Sequence, residues 1–204
     1  MSYISGKNLS KLEYSITLAA ALSYLMVHQQ DAVGLTLYAE KISKYLPPKS
    51  SRAYLQEILK SLANVQASEK TNTAASLSEA AEKIKRKGLV IIISDFFDDI
   101  NSVLKALKHF SYKKNEVIVF QVLDPMERTF AFGKDAIFKD LETGDELTTQ
   151  PYQIQKAYRE AMTEFTNRIK TECLNSNIDY NLIETSDPYD KALFRYLQKR
   201  EKLY

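Results

Sequence analysis

The sequence predicts an α/β protein in which a mostly parallel sheet is packed between two layers of helices. Residues 89–93 form an unbroken apolar run, and a run without polar alternation is typical of a strand covered on both faces. A second run of this kind occupies residues 116–123, with one helical segment between the two. Strand and helix patterns alternate along most of the 204 residues, which favours right-handed crossovers between parallel strands. We therefore predict a Rossmann-like three-layer α/β/α sandwich.

Local signals set the elements of the first half of the chain. The segment Ser10-Lys-Leu-Glu13 has the capping-box pattern, in which a serine and a glutamate each accept from the other's backbone amide at a helix start. Pro47 and Pro48 are expected to stop a strand, and Gly88 suits a left-handed helix C-cap. The predicted elements are a helix to about 30, a strand at 32–38, a short edge strand at 42–46, a helix opened by Ser51, a polar loop at 67–73 and a helix at 74–87.

The second half continues the alternation. Asp124-Pro125 ends the strand at 116–123, and Asp187-Pro188 supplies an N-cap followed by a proline for the last helix. The other predicted elements are a helix at 100–110, a hairpin within 130–147 that turns at 142–145, a helix at 151–175 and a strand at 180–184.

Composition favours one globular domain over residues 1–204, with the hairpin as a small excursion at about 128–148. Apolar residues make up 45% of the chain and charged residues 26%, enough for one sizeable core. The 28 basic and 26 acidic residues are interspersed, so no nucleic-acid footprint stands out. The only cysteine, Cys173, is predicted to fill core space. Since no apolar stretch is long enough to span a bilayer, we expect a soluble cytoplasmic protein without a membrane partner.

Three carboxylates follow the strand at 89–93, namely Asp95, Asp98 and Asp99. Ligands of open α/β sheets bind beyond the carboxyl ends of the strands, and carboxylate oxygens suit a hard cation such as magnesium. Asp98 or Asp99 can instead cap the next helix. Asp95 directly follows a buried strand, so its carboxylate must be hydrated, paired or metal-bound. Thr71, in the polar loop before the helix at 74–87, could bring a hydroxyl to the same edge.

A series of motifs covers essentially the whole chain and resembles one family. In this order and spacing, they are similar to the C-terminal, von Willebrand factor A-like part of a bacterial family of unknown function that is often encoded beside MoxR-type AAA ATPases. The motifs are Ser10-Lys-Leu-Glu13 with Ala19-Ala-Ala-Leu22, Asp31-Ala-Val-Gly-Leu35, Leu46-Pro-Pro48, Thr71-Asn-Thr-Ala-Ala-Ser-Leu77, Ile93-Ser-Asp-Phe96, Val122-Leu-Asp-Pro-Met-Glu127, Phe138-Lys-Asp-Leu-Glu-Thr-Gly144 and the segment 193–200.

The resemblance implies a metal-ion-dependent adhesion site of which this chain carries a part. Thr71 corresponds to the threonine of that site and Asp95 to its aspartate, while the Asp-x-Ser-x-Ser segment is absent. That segment would come just before Met1, so we expect an N-terminally truncated domain without its first central strand, and Mg²⁺ only in the full-length protein. The lost strand would lie between the strands of Val33 and Ile91. Three outcomes are expected: those strands pair directly, residues 1–4 act as a substitute, or a second copy donates a strand in an exchanged homodimer.

The resemblance favours a protein–protein interaction module without enzymatic activity, whose partner would be a MoxR-type AAA ATPase. The alternative is a magnesium-dependent phosphoryl-transfer or hydrolytic enzyme that uses Asp95, Asp98 and Asp99. A third hypothesis is a structural domain with a pseudo-site, in which removal of Asp95 leaves partner binding intact. With Thr71 and Asp95 alone, we expect weak metal binding or none.

Overall fold

The computed structural model describes residues 9–68, 71–130, 136–139, 146–149 and 151–201. The predicted turn at 142–145 and the substitute strand at 1–4 lie outside these residues. In chain order the elements are α1 (Lys11–His28), β1 (Val33–Tyr38), β2 (Ile42–Lys49), α2 (Arg52–Ala63), α3 (Thr73–Lys83), β3 (Leu89–Ser94), α4 (Ile100–Tyr112), β4 (Glu116–Leu123), α5 (Pro125–Thr129), β5 (Ala136–Lys139), β6 (Glu146–Thr149), α6 (Pro151–Asn175), β7 (Ile178–Glu184) and α7 (Tyr189–Glu201).

A parallel sheet of three strands, in the order β3-β4-β7, forms the centre of the protein. The central strand β4 pairs with β3 from Leu89 opposite Glu116, and with β7 from Val117 opposite Ile178. Seven of its eight residues are buried, in keeping with the unbroken apolar pattern from which it was predicted. The three carboxyl ends therefore open on one edge of the sheet.

Helices cover both faces of this sheet, and the alternation of β4 shows how. Val117 and Val119 face a core built with α3, α4 and α6. Ile118 and Phe120 face a second core, built with α1 and α7. The chain is thus a mixed α/β protein with helices on either side of a parallel sheet.

Strands β1 and β2 form a separate antiparallel hairpin, packed against α1 and α2. Gly34 allows a close approach here, because a Cβ at this position would lie 2.8 Å from the carbonyl oxygen of Leu46. Strand β1 does not pair with β3, so the expectation that the strands of Val33 and Ile91 pair directly is wrong for this structure. Within the described residues, β3 has β4 as its one strand neighbour.

Three local predictions require correction. Strand β2 continues through Pro47 and Pro48 to Lys49, because an edge strand with an irregular register tolerates residues that lack an amide donor. Helix α3 ends at Lys83, four residues early, with Ile84 already extended. Gly88 is consequently no left-handed cap; its amide donates to Asn115 Oδ1 and its carbonyl accepts from the Glu116 amide.

Candidate functional site

A buried lysine occupies the edge of the sheet where the carboxyl ends of β3 and β4 open. Lys11 Nζ lies 2.9 Å from Asp95 Oδ2 and 2.7 Å from Glu127 Oε1. Only 2% of Lys11 is exposed. A buried ammonium of this kind is tolerated because two carboxylates accept its protons and offset its charge.

The position of Lys11 in its helix is electrostatically unfavourable without these partners. It is the first residue of α1, after the N-cap Ser10, and the positive end of a helix dipole disfavours a cation. The predicted capping box is confirmed: Ser10 Oγ accepts from the Glu13 amide, and Glu13 Oε2 accepts from the Ser10 amide. Hydrogen bonding to Ser10 also lowers the pKa of Glu13.

Glu127 comes from α5, a short helix that sequence reasoning missed. Asp124 is fully buried at the end of β4 and caps this helix through Oδ1, which accepts from the Met126 amide. In return, Glu127 Oε2 accepts from the Asp124 amide, which completes a capping box. Its other oxygen, Oε1, is thereby directed at Lys11. One glutamate thus joins the end of β4 to the start of α1.

Asp95 is held in place through its backbone. Gln121, a fully buried residue of β4, donates from Nε2 to the Asp95 carbonyl at 3.0 Å. The Tyr180 hydroxyl, on β7, donates in turn to Gln121 Oε1. This line of hydrogen bonds crosses all three strands and fixes the turn that carries Asp95.

The turn after β3 is strained in a way that orients the site. Phe96 has φ +60° although it is fully buried, and such a backbone angle costs a residue with a side chain about 1–3 kcal/mol. The other non-glycine residues described with positive φ lie at the ends of helices, where this angle is common. Phe97 follows with its ring 4.8 Å from Lys11 Nζ, close enough for a cation–π contact.

The remaining predicted carboxylates have separate roles. Asp99 caps α4, since Oδ2 accepts from the Ser102 amide at 2.9 Å, and hydrogen bonding to Ser102 lowers its pKa. Asp98 accepts from the Asp99 amide through Oδ1 and from the Ala74 amide through Oδ2. The expectation that one of these two residues caps the next helix is therefore met by Asp99, while Asp98 accepts from the first turn of the preceding helix, α3.

Thr71 lies exposed in the loop directly before α3. The first turn of α3 contacts Asp98 through Ala74, which puts the loop of Thr71 at the same edge of the sheet as Asp95. Tyr38, at the end of β1, also reaches this edge. Burial raises the pKa of its hydroxyl to about 12, with a further upward contribution from the Asp95 charge.

As arranged here, these residues do not fit a divalent cation. The Lys11 ammonium takes the space between Asp95 and Glu127 that such an ion would need. In the part of the chain that the structure describes, no group of three or more histidine, cysteine or acidic side chains is placed to hold a metal. What the arrangement provides is a cation pocket filled by the chain's own lysine.

Sequence reasoning found Asp95 but missed Lys11 and Glu127. A signal for each was present: a lysine at the first position of a helix, and the Asp124-Pro-Met-Glu127 spacing of a capping box. Neither signal indicates that the two residues meet, because 116 positions separate them.

The comparisons with known proteins identify the family. Residues 1–170 match the family described as "Protein of unknown function DUF58". The chain belongs to this family. Two mycobacterial relatives of this DUF58 chain, uncharacterized protein Mb1516 of Mycobacterium bovis and Rv1480 of Mycobacterium tuberculosis, are each 23% identical over 155 residues. The match covers 74% of this chain and 47% of each relative, so the chain spans about half their length.

Solved structures share the fold of the DUF58 chain. An aerotolerance-related membrane protein from Bacteroides fragilis superposes with a TM-score of 0.61 at 20% identity, and BatB from Bacteroides thetaiotaomicron with 0.57 at 18%. Each alignment covers 94% of this chain and 88% of the other protein. At such identities the likeness concerns the fold alone. Among the described helices of the DUF58 chain, none combines the length and apolar character needed to cross a bilayer.

Proposed function

We propose that this chain is a von Willebrand A-like protein-binding module, whose partner docks at the edge of the sheet around Lys11 and Asp95. The observation that carries the proposal is the Lys11–Asp95–Glu127 cluster. It lies beyond the carboxyl ends of parallel strands, where α/β folds bind their ligands, and it includes the strained turn at Phe96. Strained backbone of this kind is concentrated at binding sites and active sites, and this supports a role in binding.

A MoxR-type AAA ATPase is the proposed partner, by the resemblance of the motifs. The exposed ring of Phe97 beside Lys11 offers a contact point, with 40% of the residue accessible. We would measure binding of such an ATPase by calorimetry to the parent chain and to Phe97→Ala. The matched control is Tyr112→Ala, since Tyr112 is an exposed aromatic at the far end of α4.

The proposal predicts that Phe97→Ala weakens binding and Tyr112→Ala does not. Equal effects of the two variants would contradict docking at this edge. An Asp95→Asn variant distinguishes the third hypothesis: if it folds and binds normally, the cluster is a structural pseudo-site. A cytoplasmic location is part of the proposal and is compatible with the single cysteine.

The finer part of the proposal is that the adhesion site is incomplete in this chain. Strand β3 has an unpaired edge within the described residues, and α1 packs against both β1 and β3, as a sheet lacking one strand would require. The genomic sequence upstream of Met1 distinguishes two cases: in-frame codons for Asp-x-Ser-x-Ser there would mean that the site is cut off in this chain, and their absence that it is lost. The incomplete-site proposal also predicts that Mg²⁺ titrated into this chain binds more weakly than micromolar, because Lys11 already neutralises the carboxylates. A micromolar dissociation constant for Mg²⁺ would contradict the incomplete-site proposal.

The enzyme hypothesis stays a prediction with its own test. Asp95, Asp98 and Asp99 each have a different hydrogen-bonding role here, which does not favour a shared metal. Hydrolysis of p-nitrophenyl phosphate in the presence of Mg²⁺, abolished by Asp95→Ala, would establish enzymatic activity and overturn the binding-only proposal.

A further inference from the structure

A groove lies between helix α6 and β7, the strand at the opposite edge of the sheet from β3. Its volume is about 500 Å³. One wall is formed by three successive residues of the strand and the other by one face of the helix. The described residues that line it are Tyr180, Asn181 and Leu182 from β7, Met162, Thr163, Thr166, Asn167 and Lys170 from α6, and Arg128 from α5.

The direction of the backbone groups of β7 follows from one hydrogen bond. The Thr185 amide donates to the Leu123 carbonyl, so Thr185 faces β4. Along a strand, the amide and carbonyl of successive residues point alternately to the two sides. Asn181 and Ile183 therefore face β4 as well, whereas the amides and carbonyls of Tyr180 and Leu182 point away from it, into the groove.

The exposed edge of β7 ends at Glu184. The Glu184 amide also points away from β4, and it donates to Asp187 Oδ2 at 3.0 Å. This bond closes the edge at its carboxyl end. For the outward backbone groups of Tyr180 and Leu182, no such bond occurs within the described residues. As far as the described residues show, two residues of the edge are thus available to a further strand.

The charged side chains that line the groove indicate the charge of the segment that it would bind. The described residues of its lining include two cations, Arg128 and Lys170, and no carboxylate. Arg128 is paired with Glu184 at the rim, while Lys170 is exposed on α6. An acidic side chain on an incoming segment would lie opposite Lys170, whereas a basic one would be repelled.

We propose that this groove binds an extended, acidic segment of a partner protein, which adds to the sheet as a strand beside β7. Main-chain hydrogen bonds to Tyr180 and Leu182 supply the affinity, and Lys170 supplies the preference for acidic residues. The groove adjoins the Lys11 edge through Arg128 and Tyr180, but the inference rests on the outward backbone groups of β7 and on Lys170, and it therefore does not depend on the proposed function.

Amide hydrogen exchange in the protein alone tests the geometry. The amides of Tyr180 and Leu182 should exchange fast, whereas those of Asn181, Ile183 and Glu184 should be protected, because the latter three are hydrogen-bonded. Uniform protection along 180–184 would show that the edge is already covered. Analytical ultracentrifugation then shows whether a second copy of the chain occupies the edge, because in that case the protein would be a dimer with protected amides at Tyr180 and Leu182. Uniform protection or such a dimer would each overturn the proposal.

Binding is tested with the peptide acetyl-Val-Glu-Val-Glu-Val-amide, using acetyl-Val-Lys-Val-Lys-Val-amide as the matched control, in an NMR titration. With the acidic probe at about ten times its dissociation constant, exchange at Tyr180 and Leu182 should slow by about tenfold. Lys170→Glu should weaken binding by about fivefold, the equivalent of one exposed ion pair of about 1 kcal/mol. The control variant is Lys105→Glu, at an exposed position of α4.

Leu182→Pro removes one outward amide and leaves the hydrogen bonds between β7 and β4 in place. This variant should bind the acidic probe more weakly than the parent chain. Three results would overturn the proposal: no binding at millimolar probe, equal binding of the acidic and basic probes, or chemical-shift changes that avoid residues 180–182. Should Leu182→Pro fail to fold, Lys170→Glu and the exchange pattern still decide the matter.

Discussion

The ammonium of Lys11 lies 2.9 Å from the carboxylate of Asp95, although 84 positions separate them in the sequence. This contact joins the first turn of a helix on one face of the sheet to the turn that follows its edge strand. Glu127 extends it to the end of the central strand. The cluster is therefore the point at which three separate parts of the chain are fixed relative to one another.

Replacement of Lys11 by methionine should destabilise the protein strongly. The variant keeps most of the side-chain volume but leaves two largely buried carboxylates without their cation, which typically costs about 3–5 kcal/mol. The matched control is Lys83→Met, because Lys83 forms an exposed pair with Glu79 at 3.3 Å, and such a pair contributes about 0.5 kcal/mol or less. Urea unfolding measures both. Similar losses for the two variants would contradict the burial of the Lys11 charge.

The strained turn predicts an unusual order of stabilities at Phe96. Phe96→Ala should cost about 3–5 kcal/mol, because the ring fills core space. Glycine is normally worse than alanine, but at φ +60° it relieves the clash of the Cβ. Phe96→Gly should therefore be more stable than Phe96→Ala by about 1 kcal/mol in the same unfolding experiment. The usual order would show that the turn is unstrained.

Much of the fold could be predicted from the sequence, because the signals involved are local. The bounds of β4 and α6, for example, follow from an unbroken apolar run and from a long amphipathic pattern. Errors arose where tertiary context overrides a local rule. The prolines at 47 and 48 do not end β2 because it is an edge strand, and α3 ends at Lys83 although the helical pattern continues.

The candidate site was less predictable, since its geometry depends on non-local pairing. Asp95 could be recognised because a carboxylate after a buried strand needs a partner. Nothing local identifies that partner as Lys11, or brings Glu127 to the same ammonium. The roles of Asp98 and Asp99 depend on which helix starts lie within reach, and this is settled only when α3 and α4 are packed.

Replacement by alanine should affect stability differently at Gly34, which lies in β1, and at Gly88, which directly precedes β3. At Gly34 a Cβ would lie 2.8 Å from the Leu46 carbonyl oxygen and 3.0 Å from the Pro48 nitrogen, both of them backbone atoms. At Gly88 it would meet nothing within 4 Å. We expect Gly34→Ala to lose about 1–3 kcal/mol on thermal or urea unfolding, and Gly88→Ala to change stability by about 0.5 kcal/mol at most. Equal effects would contradict the close packing of β1 on β2.

The single thiol should be inert while the protein is folded. Cys173 is 1% exposed, and burial raises the pKa of its thiol to about 12. At pH 8 the folded protein therefore presents very little thiolate, which is the reactive form. Alkylation by iodoacetamide should be slow in buffer and fast in concentrated urea. Fast alkylation of the native protein would place Cys173 outside the core.

The most direct test of the account is a double-mutant cycle on Lys11→Met and Asp95→Asn, measured as free energies of unfolding. If the two side chains form a buried ion pair, their effects are not additive, and the coupling should be about 2 kcal/mol or more. A coupling within about 0.5 kcal/mol of zero would mean that the ammonium and the carboxylate do not interact, and it would contradict the central claim.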